Sequence, residues 1–150
     1  MITDEKREWL EQLYVQFTQA LFGMGNVPRM YMVVINGKAE VIPQKPEQMP
    51  EEALPTVVSA YANAVNAELV LHISEGWALS VEKNSIVELP IKEHPNRIEI
   101  LTMMIGEPAG QLHLISGEIK RAIDNTPYIP KWAWLSNVDT PTGLILPFDD

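Results

Sequence analysis

The dipeptide Asn36-Gly37 constrains this chain more than any other feature. An apolar run, 30–35, and an alternating one, 38–42, flank it directly. A two-residue type I′ hairpin loop needs positive φ at both central residues, and Asn-Gly meets that need at least cost. A turn of this kind fixes the register, pairing Ile35 with Lys38, Val34 with Ala39, Val33 with Glu40 and Met32 with Val41. Side chains alternate across a strand, so one face carries Met32, Val34, Ala39 and Val41 and is wholly apolar. The other face carries Lys38 and Glu40 and is expected to be the wetter one.

Around this hairpin the pattern alternates between helical and extended periods. Thr3 is placed as an N-cap, with Asp4, Glu5 and Glu8 near the positive end of a helix dipole. Trp9, Leu10, Leu13, Tyr14, Phe17 and Leu21 recur at helical spacing, and Gly23 and Gly25 stop the run, which predicts a helix over 4–22. Pro43, Pro46, Pro50 and Pro55 make 43–55 a rigid connector. Pro55 opens a second helix to about Asn66, with Val57, Val58, Tyr61 and Val65 expected inside. Residues 68–74 read as a buried central strand that continues to about Val81, with Gly76 marking a bulge or a close backbone approach. A polar loop over 82–97 precedes strands at 98–105, 111–119 and 128–135. Trp132 and Trp134 share a face of the last strand, and a tail over 136–150 is expected to be partly ordered by Leu144-Ile145-Leu146.

The order α-β-β-α-β-β-β-β predicts one α+β domain over 1–150. Its mostly antiparallel sheet has five to six strands, with two helices packed on one face. With 150 residues and no cysteine, such a core must form without disulfides, which fits a cytoplasmic protein. No apolar h-region follows Met1 and no apolar run is long enough for a bilayer, so neither a signal peptide nor a membrane partner is expected. Charge speaks against nucleic acid. Twenty acids face eleven bases, a net −9, and the only adjacent bases are Lys6–Arg7 and Lys120–Arg121.

Val70-Leu71-His72-Ile73-Ser74-Glu75-Gly76-Trp77, followed by His94-Pro95-Asn96-Arg97-Ile98-Glu99, resembles a family of small uncharacterised bacterial and phage proteins. In that family a strand ending in Ser-Glu-(small)-Trp is followed, after a variable loop, by a His/Asp-Pro-x-Arg-x-Glu strand. Ile119-Lys120-Arg121 is similar to the Ile-x-Arg signature of a later strand. The resemblance covers about residues 30–135 and implies no activity or cofactor. It does single out Glu75, Trp77, Arg97, Glu99 and Arg121.

Arg97 and Glu99 are two apart on a strand and share a face. If their strands are neighbours, Glu75 and Arg121 join them in carboxylate–guanidinium contacts. Such a cluster serves either as a structural ion-pair network, the preferred reading, or as a pocket. In a pocket, Glu75 or Glu99 is the candidate catalytic base, and Trp77, Arg97 and Arg121 bind an anionic ligand. His72, His94 and His113 have no metal-ligand spacing, and His72 reads as a hydrogen-bonded core histidine, so no metal is expected. Ser74 lacks a nucleophile elbow, and Gly23-Met24-Gly25 follows a helix and is a helix stop rather than a phosphate loop. An outward-facing Trp132 and Trp134 would favour a two-fold homodimer. The expected function is a non-catalytic binding or protein-interaction domain that self-associates, with a protein or a small ligand as partner. The alternative is a small hydrolase-like enzyme or anionic-ligand binder built on the Glu/Arg cluster.

Overall fold

The computed structural model describes residues 2–42, 54–80, 93, 97–108, 110–136 and 144–145. The connector prolines 43, 46 and 50, residues 82–92 and 94–96 of the loop expected over 82–97, His94 among them, and most of the tail lie outside the described residues. The elements are α1 (Asp4–Met24), β1 (Met30–Ile35), β2 (Lys38–Ile42), α2 (Leu54–Ala64), β3 (Leu69–Ser80), β4 (Ile98–Gly106), β5 (Leu112–Glu118), β6 (Lys120–Arg121), β7 (Pro127–Tyr128), β8 (Trp132–Ser136) and β9 (Leu144–Ile145). Six strands form one antiparallel path, β2-β1-β3-β4-β5-β8, and β9 pairs with the far end of β3. The fold is α+β, and its principal elements follow the expected order.

Local chemistry sets the boundaries. Thr3 Oγ1 accepts from the Lys6 N–H at 3.2 Å and caps α1. Gly25, at φ 87°, closes the helix by donating to the Leu21 carbonyl at 2.8 Å. In the hairpin, Asn36 has φ 53° and Gly37 φ 75°, and the pairing is the one the turn dictates, Ile35 with Lys38 through Met32 with Val41.

One face of the sheet packs against α1. Met32 and Val34 of β1, Leu69, Leu71 and Ile73 of β3, Leu101, Met103 and Ile105 of β4 and Ile115 of β5 meet Leu10, Tyr14 and Leu21 of α1 in one cluster. Tyr14 reaches through it to donate its hydroxyl to the Leu101 carbonyl at 2.7 Å. Gly117 makes room for that ring. A Cβ there would stand 2.6 Å from Ile129 Cγ2 and 3.0 Å from both the Lys131 carbonyl and the Tyr14 hydroxyl.

Several finer expectations change. The helices do not share a face: Tyr61 of α2 donates to Glu40 Oε2 at 3.5 Å, and Glu40 lies opposite Val33, on the side turned away from α1. Val33 is buried there, so β1 is covered on both faces, and the wetter face belongs to β2 alone. The inner stripe of α2 is Val58 and Ala62. Val57 and Tyr61, expected inside, are 40% and 42% exposed, because a helix resting on one strand edge buries a narrower stripe than a core helix. Gly76 pairs with Ile100 in unbroken register, so no bulge forms. Trp132 and Trp134 do share a face, but it is that of α1. The Trp132 ring centroid lies 5.7 Å from that of Tyr14, and the Arg7 guanidinium carbon lies 4.7 Å over Trp134. The pair therefore packs with the core, and the outward-facing arrangement that would have favoured a dimer through it is not the one found. The β6–β7 hairpin was unforeseen; its turn uses Asn125 at φ 71°.

Candidate functional site

β3 and β4 run on together beyond β1, whose pairing with β3 starts at Met30 opposite Ile73. On this extension Glu75 lies opposite Leu101 and Trp77 opposite Glu99, all on the face that carries α1. The alternation that buries Leu71 and Ile73 thus delivers Glu75 and Trp77 to the rim of the core.

Each charged group at this rim has a defined partner. Glu75 Oε2 accepts from the Val27 backbone N–H at 2.8 Å, fastening the segment between α1 and β1. Glu99 is gripped by Arg121 of β6, with Nε to Oε2 at 3.1 Å and Nη2 to Oε1 at 3.0 Å. Arg121 Nη1 also donates to the Asn125 carbonyl at 3.3 Å. The Glu99 hydrogen bonds hold the guanidinium charged, and the Glu99 and Glu75 carboxylates add to this through space. The Arg97 guanidinium carbon sits 4.6 Å over the Trp77 ring, a cation–π contact. Between these groups lies an open recess of about 130 Å³, lined by Glu75, Gly76, Trp77, Glu99 and Ile119.

All five residues singled out from sequence therefore gather at one end of the molecule. Arg97 and Glu99 share a face as expected, yet the fork that binds Glu99 comes from Arg121. Chemically, the recess presents two carboxylates and an indole, with one guanidinium spent on Glu99 and another stacked on Trp77. A general base needs an oxygen free to reach a substrate proton; Glu99 has both oxygens on Arg121, and Glu75 has Oε2 on the Val27 N–H.

His72 is a core histidine. Arg29 Nε donates to its Nε2 at 3.0 Å, which puts the ring proton on Nδ1, and the Tyr31 ring stacks on it at 4.3 Å. Burial, aided by the Arg29 charge, lowers its pKa from 6.5 to about 4. His113 Nε2 is 2.8 Å from Glu107 Oε2. Among the described residues no three His, Cys, Asp or Glu converge as metal ligands.

Two features escaped sequence reasoning. Ser74, Thr102 and Ser116 lie side by side across β3, β4 and β5 on the face away from α1, with Thr102 Oγ1 and Ser116 Oγ sharing a hydrogen bond at 3.3 Å. Their signal is a small hydroxyl residue set beside apolar neighbours in each of the three strands, Ile73-Ser74, Leu101-Thr102-Met103 and Ile115-Ser116. The second is a groove of about 520 Å³ beside the β2 edge, lined by Glu40, Val41, Ile42, Val57 and Tyr61. Its signal is weaker, since an apolar residue on an edge strand looks no different in sequence from a core one.

Comparison with family models, curated proteins and solved structures finds no match to this chain. Among the described residues, no helix is long and apolar enough to cross a membrane.

Proposed function

We propose that this chain is a non-catalytic binding protein that associates with itself, working in the cytoplasm without a cofactor. One observation carries the non-catalytic part: both candidate catalytic carboxylates already serve the protein's own groups, Glu99 through both oxygens to Arg121 and Glu75 through Oε2 to the Val27 N–H. Interaction is favoured by apolar side chains left outside the core at the β2 edge, where Val41 is 57% exposed on the α1 face and Val57 and Tyr61 are 40% and 42% exposed on the other.

The alternative is a small hydrolase-like enzyme or a binder of small anions at the Glu/Arg cluster, and the recess beside Trp77 favours it. Against it stands the sign of the lining. An anion entering there meets the carboxylates of Glu75 and Glu99, while Arg121 is already paired.

Native mass spectrometry of the gently purified protein separates the two. An oligomer with no added mass supports the interaction protein, whereas a monomer retaining a small molecule overturns it. E75Q sharpens the result. As a fastener of the α1–β1 segment, Glu75 is worth about 1 kcal/mol of stability, and its replacement by Gln leaves the assembly state unchanged.

A further inference from the structure

Among the described residues β2 is one edge of the sheet, and its backbone has a definite polarity. The Val34 carbonyl accepts from Glu68 N–H at 2.7 Å, on the β3 side, so by alternation Val33 and Ile35 direct their backbone groups toward β2. Their partners Glu40 and Lys38 therefore face inward, while Ala39 and Val41 turn N–H and C=O away from the sheet. A second strand meeting this edge finds those groups in place.

We propose that the second strand is β2 of another copy of this chain, antiparallel, on a two-fold axis through Ala39. This inference rests on the self-association proposed above and names its surface. In an antiparallel pair directly opposed residues share a face, so the two-fold must fall on a residue rather than between two. An axis at Glu40 sets that carboxylate against itself, and one at Val41 sets Glu40 opposite Ile42. Only the axis at Ala39 places Lys38 opposite Glu40 of the copy, twice, while the two Ala39 residues exchange both backbone hydrogen bonds. Two chains of net charge −9 repel at long range, so an interface between them needs opposite charges where it closes.

The side chains fit the same axis. Val41 comes to lie over Gly37 of the copy, and around Gly37 nothing stands within 4 Å of where a Cβ would be. Val41 thereby loses the solvent it now faces. On the opposite face the two α2 helices flank the axis, and the groove lined by Val57 and Tyr61 borders the new strand. The product is one continuous antiparallel sheet with its two β2 edges joined.

The test uses the full chain and measures mass by light scattering across a concentration series, for wild type, K38E, E40K and the double variant K38E/E40K. Lys38 and Glu40 are exposed, and circular dichroism with thermal melting confirms that each variant is folded. Wild type is expected to run as a dimer. Each single reversal weakens dimerisation about tenfold, because two attractive cross-strand pairs become repulsive. The double variant recovers to within about threefold, having restored both pairs with their signs exchanged. A39C adds the sole thiol to a cysteine-free chain, and about 5.5 Å between opposed Cα atoms is within disulfide reach. Mild oxidation should cross-link it. A wild-type dimer that ignores both reversals and yields no A39C cross-link overturns this surface and leaves self-association standing. A wild type that stays monomeric throughout overturns both, and a trimer or larger ring overturns the two-fold axis.

Discussion

The two faces of the central sheet are built from the same strands yet hold together differently. Toward α1, Leu71 and Ile73 of β3, Met103 of β4 and Ile115 of β5 are buried and wholly apolar. One residue along on each strand, the opposite face buries the polar His72, Ser74 and Thr102 beside the apolar Val33, Ile100 and Leu114. Apolar burial is stabilising wherever water is excluded, whereas a buried polar group is tolerated only with its partner in place. The first face therefore depends on volume alone, and the second also on its buried polar groups keeping their partners. An identical backbone ladder thus carries two different vulnerabilities.

The largest expected effect comes from emptying the apolar face. L71A removes a fully buried side chain between Met32 and Ile105, and a loss of about 2–5 kcal/mol is expected in chemical denaturation. A loss under about 1 kcal/mol would mean that this face is loosely packed and the contrast is unfounded.

The polar face should respond to pH. The folded pKa of His72 is about 4 against 6.5 for the free side chain, so between those values the unfolded chain holds more protons at this position. Stability contributed here is fully present above pH 6.5 and is lost as pH falls toward 4, by about 3 kcal/mol in all. H72Q should flatten that part of the pH profile relative to wild type. An unchanged slope would assign the acid sensitivity to carboxylates.

Overfilling tests the first face from the other side. G117A drives a methyl group against Ile129, the Lys131 carbonyl and Tyr14, and a cost of about 1–3 kcal/mol is expected in thermal melting. The smallest effect is that of T102V, which keeps the shape and strands the Ser116 hydroxyl, for about 1 kcal/mol. Should T102V stabilise the protein instead, the hydroxyl row serves something other than the fold.

What was legible in the sequence follows from how local each cause is. The Asn36-Gly37 turn fixes its own register, and the Trp9-to-Leu21 stripe with Thr3 and Gly25 at its ends fixes α1, because those signals act within a few residues. Burial of Val33 on the second face, and exposure of Val57 and Tyr61, depend on where α2 settles, which no periodicity encodes. At the candidate site, alternation places Arg97 with Glu99. The partner of Glu75 is a backbone N–H 48 residues away, and that of Glu99 is carried by a two-residue strand. Contacts of this kind are products of the assembled sheet. Trp132 and Trp134 make the same point, since their common face was readable while its direction was not.

Tyr14 ties together parts of the chain that are made at different times. Its hydroxyl binds the Leu101 carbonyl, 87 residues onward, and its ring meets Trp132. During synthesis α1 leaves the ribosome long before β4, β5 and β8 exist to receive it. Its apolar stripe must wait, exposed, for a surface still being translated, and closing loops of that length before any packing is gained makes folding slow. Chaperone demand should therefore fall on the nascent N-terminal helix, and a ribosome-stalled chain ending before Trp132 should fail to protect it from proteolysis.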